Sequence, residues 1–186
     1  MQDPWMQTAT GRRFPVLNPA AIDISIIDIA RSISKQCRFG GHCLRFYSVA
    51  EHCVHVSRHV PEHLRMTALL HDAQEAYLTD MIRPVKSIMP EYQVLEDKLA
   101  RLVAERFETI YPLPQEVKYA DNAILTDERQ QIMAEMDVPP AEWGNPHPAL
   151  GVVLECWSPE QAMTEFLLAF HEYRGRKKQS LLEAAA

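Results

Sequence analysis

Four ionisable side chains follow an apolar helical run in the segment ALLHDAQEAYLTD, residues 68–80. They are His71, Asp72, Glu75 and Asp80. Glu75 follows Asp72 by three residues and His71 by four, so on a helix these three side chains lie on roughly one side. Buried acids without partners are costly, and proteins pair them, protonate them or bind them to a metal. The segment therefore indicates a cluster that needs a counter-charge.

Two residues outside this segment could join the cluster. His52 lies on the preceding predicted helix, which should pack antiparallel across a short turn, and Asp121 interrupts the apolar stretch VKYADNAIL. Two imidazoles and two carboxylates suit a catalytic divalent metal and leave positions open for water or substrate. The candidate ligands are His52, His71, Asp72 and Asp121. The structural alternative is a set of hydrogen-bonded buried groups, which is the commoner role of a single buried histidine or aspartate.

The remaining polar residues near His52 have simpler interpretations. Glu51 lies three residues after Ser48, and this pair predicts a capping box at the start of a helix. His55 and His59 follow His52 at helical spacing and are interpreted as packing or surface residues. The same structural interpretation applies to His63, His147 and His171.

The elements that must position the cluster are predicted to be helices. Apolar residues recur at helical spacing in six segments, namely residues 24–33, 48–60, 61–77, 91–107, 114–136 and 158–174. No strand alternation and no repeat stands out, so the sequence predicts an all-α fold. We expect an extended N-terminal strap at 1–19, one helical domain at 20–175, and a flexible C-terminal tail at 176–186.

Composition excludes several classes of protein. The chain has 186 residues, which suits one domain, and a formal net charge of −6, which argues against stable nucleic-acid binding. Its four cysteines form no C-x-x-C pair, so a thiolate zinc site is not expected and reduced thiols fit the cytosol. No apolar stretch approaches the length needed to cross a bilayer. We expect a cytoplasmic protein without a membrane partner.

The order of the motifs resembles the HD-domain metal-dependent phosphohydrolases, and most closely their 5'-deoxynucleotidases and related nucleotide-specific members. RF…SVAEH, HDAQEAYLTD, RPVK and KYAD occur in that family's order and at very similar spacing, over roughly residues 22–135. The resemblance implies a single-domain HD-type helical bundle with one divalent metal (Mn, Co, Fe, Mg or Zn). It implies hydrolysis of nucleotides, most of all deoxynucleoside mono- or triphosphates, by attack of a metal-activated water on phosphorus.

The resemblance also implies roles for individual residues. His52, His71, Asp72 and Asp121 match the family's metal ligands. Glu75 matches the acid that acts on the attacking water, Asp80 matches an acid near the substrate sugar, and Arg38 matches a phosphate-binding arginine.

Three further residues are predicted substrate contacts. Phe39 falls where the deoxynucleotidases have a tryptophan near the sugar, so the choice between deoxyribose and ribose stays open. His42, in the added GGHC segment, is a candidate for phosphate contact or proton donation, with a structural role as the alternative. Lys86, or Lys118, could help Arg38 to hold phosphate oxygens.

Two other classes of function share this metal set. One is a phosphodiesterase acting on a cyclic or alarmone nucleotide, which would need a longer groove. The other is a non-catalytic, metal-stabilised ligand sensor, which would not need the acids Glu75 and Asp80. A homodimer is the default assembly.

Overall fold

Most of the chain is helical in the computed structural model, which describes residues 4–137, 142, 144–145 and 147–184, and side chains of the last helix through residue 179. The α-helices are α1 (Ile26–Ile33), α2 (Val49–Arg58), α3 (Arg65–Leu69), α4 (Glu75–Leu78), α5 (Arg83–Lys86), α6 (Pro90–Phe107), α7 (Gln115–Ile132) and α8 (Pro159–Ala184). The predicted all-α class is confirmed. None of the helices in the described parts of the chain combines the length and the apolar character that a membrane span requires.

Helix α2 is the central helix of the fold. Every residue from Val49 to Ser57 is buried, and the helix packs against α3, α7 and α8. It begins at Ser48, whose hydroxyl accepts a hydrogen bond of 3.1 Å from the backbone N–H of Glu51, as the N-cap prediction requires. Because His52 lies in the first turn of this enclosed helix, its side chain is fully buried.

The core consists of two groups of apolar residues on either side of α2. One group joins α1, α2, α3 and α8 and includes Ile29, Val54, Leu69, Phe166 and Phe170. The other group joins α2 to α7 and includes Val56, Leu64, Val117, Ile124 and Ile132. Burial of these side chains fixes the relative positions of α2, α3 and α7.

The predicted continuous helix over 61–77 is wrong in its middle. A 3₁₀ turn at Glu62–Leu64 leads into α3, which ends at Leu69, and α4 begins only at Glu75. Between them the backbone N–H groups bond three residues back instead of four; Ala73 donates to Leu70 at 3.1 Å. This tighter winding is typical of functional breaks in helices, and here it contains His71 and Asp72.

The N-terminal strap contains two strands that the sequence analysis did not predict. Strand β1 (Trp5–Gln7) pairs antiparallel with β2 (Arg13–Pro15), with Met6 opposite Phe14. Three-residue strands are too short to show a period of two. Phe14 is buried and stacks on Tyr77 with ring centroids 4.1 Å apart, so this hairpin covers the back of α4.

The last helix begins where predicted and continues beyond the predicted domain boundary. The Ser158 hydroxyl accepts a hydrogen bond of 3.2 Å from the Gln161 N–H at its N-terminus. The helix then passes through residue 175 to Ala184. Arg176 pairs with Glu62 at 3.0 Å and with Glu172 at 2.7 Å, which gives this segment contacts inside and outside its own helix. Part of the proline-rich segment at 139–151 lies outside the described residues.

Candidate metal centre

The predicted metal ligands meet at one point in the fold. His52 comes from α2, His71 and Asp72 from the turn between α3 and α4, and Asp121 from α7. The Nε2 atoms of the two histidines are 3.3 Å apart, and Asp72 Oδ2 lies 3.2 Å from His71 Nε2 and 3.8 Å from His52 Nε2. The ligand atoms of His52, His71 and Asp72 lie within 4.8 Å of one another, so this trio could hold a metal ion.

Asp121 lies next to this trio, close to the two histidines. Its Oδ1 lies 3.2 Å from His52 Nε2 and 3.6 Å from His71 Nε2. The carboxylate therefore lies where it could supply a further oxygen ligand from a third element of the fold.

The other ring nitrogen of each histidine has an acceptor. His52 Nδ1 lies 2.7 Å from Glu128 Oε1, and His71 Nδ1 lies 2.7 Å from the Ala68 carbonyl oxygen. Both Nδ1 atoms must donate, and in neutral imidazoles both Nε2 lone pairs then face the cluster. Two lone pairs 3.3 Å apart beside two carboxylates repel each other unless a cation or a proton lies between them.

The pKa shifts show the charge for which the cluster is built. Burial lowers the pKa of His71, but the charge of Asp72 and the hydrogen bonds of both aspartates outweigh burial and raise that pKa well above its ordinary value. Burial raises the pKa of Asp72, but the His71 charge brings it down to about 2. Burial likewise raises the pKa of Asp121, and its contacts with His52 and His71 lower it well below the usual range. The site thus favours a positive charge between two anionic carboxylates.

Glu128 supports the cluster, and the sequence analysis missed it. This side chain is fully buried on α7; one oxygen accepts from His52, and the other lies 3.2 Å from Arg38 Nη2. Arg38 Nη1 is also 3.8 Å from Asp72 Oδ2. Glu128 follows Asp121 by seven residues, or two helical turns, so spacing alone could have placed both on one face of α7. Carboxylates that orient ligand histidines are common around metals.

Glu75 lies beside the ligands in an environment that disfavours its charge. Burial raises the pKa of Glu75 well above its ordinary value, and the nearby charges of Asp72 and Asp80 raise it further. Its Oε2 is buried without a hydrogen-bond partner among the described residues, and its Oε1 lies 3.9 Å from Lys86 Nζ. Lys86 itself makes a 2.6 Å contact with Glu96. A carboxyl group in this state holds a proton more strongly than an ordinary glutamate, which suits a group that takes and returns a proton.

Asp80 lies at the end of the segment that follows α4. The backbone N–H of Asp80 donates to Gln36 Oε1 at 2.8 Å, and the Nε2 of the same Gln36 side chain donates to the backbone carbonyl oxygen of Glu75 at 3.0 Å. Burial raises the pKa of the Asp80 carboxyl above its ordinary value, whereas the charge of Arg38 works against this shift. The amide of Gln36 therefore fixes both candidate catalytic acids to the end of α1.

The candidate phosphate-binding residue Arg38 begins a short 3₁₀ turn, Arg38–Gly41, with unusual backbone angles. Phe39 has a φ of 57° and Gly40 a φ of 61°, and only glycine adopts this region without cost. The turn directs the buried Arg38 toward Asp72 and Glu128, while Phe39 is half-buried beside it. His42 is exposed, and the described structure gives its ring no hydrogen bond to the cluster.

A groove of about 280 Å³ opens beside the cluster, between α6 and the turn before α4. His71, Asp72 and Asp121 form part of its wall. The predicted substrate contacts Arg38, Phe39, His42, Lys86 and Asp80 are not among its lining residues. They lie outside the groove, and Asp72 contacts both the groove and Arg38.

His55 and His59, which the sequence predicts to be packing or surface residues, have those roles in the structure. Of the predicted capping box, only the bond to the Ser48 hydroxyl is present. His55 is buried and stacks on Trp157 with ring centroids 5.5 Å apart, and His59 is exposed. The Glu51 carboxylate does not act as the cap's second half. It accepts three backbone N–H bonds of 2.7–3.0 Å from residues 155–157, in the segment before α8.

Two curated proteins similar to this chain carry no assigned activity in their names. No protein-family model matches the chain. The uncharacterized protein YfdR of Escherichia coli K12 is 39% identical over 128 residues, which cover 69% of this chain and 72% of YfdR. The uncharacterized protein RCAP_rcc00048 of Rhodobacter capsulatus is 34% identical over 191 aligned positions, which cover 92% of this chain and 96% of that protein.

Proposed function

This chain belongs to the family of YfdR and RCAP_rcc00048, and from the cluster it builds we propose that it is a metal-dependent phosphohydrolase acting on nucleotides. The ordered motifs that resemble the HD-domain phosphohydrolases support this proposal, with deoxynucleoside mono- or triphosphates as the substrate class. The enzyme works in the cytoplasm, where its four cysteines remain thiols.

One observation carries the proposal: two histidine Nε2 atoms face each other at 3.3 Å, each with its Nδ1 already donating elsewhere. Such a pair, flanked by two carboxylates, has the donor set of a divalent cation with mixed nitrogen and oxygen ligands. His52, His71, Asp72 and Asp121 would hold the ion. Mn, Co, Fe, Mg and Zn all accept such ligands, and a bound ion would polarise the phosphoryl group and lower the pKa of a water.

Glu75 acts on the water that attacks phosphorus. Burial and the neighbouring acids raise the pKa of Glu75, so the carboxyl group can take a proton from the water and later return it to the leaving group. The unpartnered Oε2 is the oxygen available for this task. Lys86, 3.9 Å from Oε1, holds the other side of the carboxyl group in place.

Arg38 binds the phosphate. Its guanidinium is buried, and its Nε has no hydrogen-bond partner among the described residues, so it keeps a donor for an anion. Burial lowers the pKa of Arg38, but the charges of Glu128, Asp80 and Asp72 raise it overall, so the group stays cationic. Phe39 and Asp80 are the candidate sugar contacts, and the exposed His42 is a candidate for phosphate contact or proton donation.

The first experiment is a hydrolysis screen of the purified protein with added divalent metals. Nucleoside mono-, di- and triphosphates form the main panel, and cyclic and alarmone nucleotides are included. We expect released phosphate or polyphosphate from at least one nucleotide, and none after chelation. Hydrolysis of cyclic or alarmone nucleotides alone would favour a phosphodiesterase, and binding without hydrolysis would favour a ligand sensor.

A ligand variant tests the metal centre separately. His71→Ala should lose both bound metal and hydrolysis, because one of the two facing nitrogens is removed. His59→Ala, at an exposed histidine of the same chain, is the matched control and should keep both. Metal content is measured by elemental analysis of folded protein, and stoichiometric metal in His71→Ala would contradict the ligand assignment.

A further inference from the structure

The groove beside the cluster contains a buried polar atom without a partner. Gln74 lies in the turn between α3 and α4, two residues after Asp72, and is only 6% exposed. Its side chain lines the groove, and its Oε1 has no hydrogen-bond partner among the described residues. An unpaired buried amide oxygen costs free energy unless a ligand donates to it.

Beyond the candidate metal ligands, the described lining of the groove offers no basic side chain to a phosphate chain. Asp72, Asp121, Glu96 and Asp97 all line it, and the described lining residues include no lysine or arginine. Glu96 is already paired with Lys86 at 2.6 Å and Asp97 with Arg101 at 3.0 Å, so these acids and their partners leave no free cation for a phosphate. Arg38, the buried cation with an unused donor, lies on the other side of Asp72. A nucleotide with its phosphate near Arg38 would therefore extend its nucleoside end into the groove.

The groove suits a flat group that carries hydrogen-bond donors. Ile110, Tyr111 and Leu113 give it an apolar wall, whereas Gln74 and the acids offer mainly acceptors. Exocyclic amino groups of nucleobases are donors, and keto groups at the same positions are acceptors. Acceptors on the protein consequently favour amino-bearing bases over keto-bearing ones.

We propose that this groove is the nucleobase subsite and that Gln74 determines specificity by accepting a hydrogen bond from an exocyclic amino group. The inference rests on the proposed function for the position of the phosphate. Sites built to hydrogen-bond one group reject analogues that lack it, because their own polar atoms then stay unpaired. The substrate class is thus narrowed to nucleotides of amino-bearing bases.

Two pairs of nucleotides that differ chiefly by an amino-to-keto exchange provide the test: dCMP with dUMP, and dAMP with dIMP. For the metal-loaded wild-type protein, we expect kcat/KM to favour the amino member of at least one pair by about tenfold. Gln74→Met keeps the size of the side chain without its amide. It should abolish this preference, so that the two kcat/KM values of a pair become about equal. Gln74→Glu keeps the acceptor oxygens and should retain the preference.

The outcomes separate this inference from the proposed function. Equal rates within both pairs, a preference that survives in Gln74→Met, or a preference that is lost in Gln74→Glu would overturn the role of Gln74. Calorimetric binding of the free nucleosides to the metal-loaded protein gives a readout that needs no hydrolysis. Gln74-dependent binding of amino-bearing nucleosides without turnover of any nucleotide would support the subsite while rejecting the phosphohydrolase. Turnover without base preference would support the phosphohydrolase and reject the proposed base subsite.

Metal affinity is the control for both Gln74 variants. It should equal that of the wild type, because Gln74 makes no described contact with the four ligands. A Gln74→Met protein that has lost its metal would make the residue part of the metal's support and would overturn its assignment to base recognition.

Discussion

Two sets of buried acids in this protein face very different partners. Asp127, on α7, accepts three backbone N–H bonds of 2.7–2.9 Å from residues 150–152. Glu51, on α2, accepts three more from residues 155–157. In contrast, Asp72 and Asp121 face histidines and each other's charge, and the Glu75 Oε2 has no partner among the described residues.

The comparison separates anchoring acids from reactive ones. A carboxylate surrounded by N–H donors is satisfied within the fold and holds a loop in place. In the other set, against the effect of burial, the histidines stabilise the charges of Asp72 and Asp121 and lower their pKa values, whereas burial and neighbouring acids disfavour the charge of Glu75 and raise its pKa. Both sets contain Asp and Glu. Glu75 is as buried as Glu51 and Asp127, whereas Asp72 and Asp121 are half-buried, so the partners are the main difference between the sets.

Replacement of one acid from each set by its amide should give the largest difference, because one variant should lose activity and the other stability. Glu75→Gln should reduce kcat by about 10²–10⁴-fold, the usual contribution of a general base, with metal content and thermal stability close to wild type. Glu51→Gln should lower the melting temperature instead and leave kcat near wild type below that temperature. Steady-state kinetics and thermal denaturation of both variants measure the contrast. Loss of stability in Glu75→Gln with unchanged kcat would place Glu75 among the anchors.

Asp127 and Glu128, which are adjacent on α7, provide a second test of the difference between the two sets of acids. Glu128→Gln should weaken metal binding by about 10–100-fold, because an amide cannot accept from both His52 and Arg38. Asp127→Asn should keep metal affinity and lose about 1–3 kcal/mol of unfolding free energy from unpaired buried groups. Competition with a chromophoric chelator gives the affinities, and urea denaturation gives the stabilities. Equal metal affinities for the two variants would show that Glu128 is only another anchor.

Asp80 lies between the two sets, because it is half-buried and held through its backbone. Asp80→Asn should slow substrates with a 3'-hydroxyl by several-fold, about the value of one charged hydrogen bond, and leave 3'-deoxy analogues nearly unchanged. Kinetics on paired substrates with equal phosphates test this sugar contact. If both substrates slow equally while metal stays bound, Asp80 supports the metal centre and does not contact the sugar.

The sequence predicted the helical class and the convergence of His52, His71 and Asp72, because helical spacing and motif order constrain both. It did not predict the break between α3 and α4, since residues with good helix propensity can still take a tighter turn when tertiary contacts require it. The position of Gln74 depends on the same turn, so it could not be predicted from the sequence either.

Partners far apart in the chain were the other features that the sequence did not indicate. Glu51 looked like an ordinary cap because its real partners lie more than 100 residues away, at residues 155–157. Glu128 was missed although its spacing from Asp121 was visible, because the pairing with His52 depends on how α7 packs against α2.

The bonds from Glu51 to residues 155–157 also have a consequence for the order in which the protein matures on the ribosome. The four candidate ligands and Glu128 are all synthesised before residue 155, so every group of the metal centre exists while Glu51 still lacks its partners. A buried carboxylate without donors destabilises the helix that also carries His52. We therefore expect the nascent chain to bind metal weakly until the segment before α8 has emerged. Under this proposal, metal binding would follow the synthesis of residues 155–157 and would not occur as soon as the last candidate ligand is made.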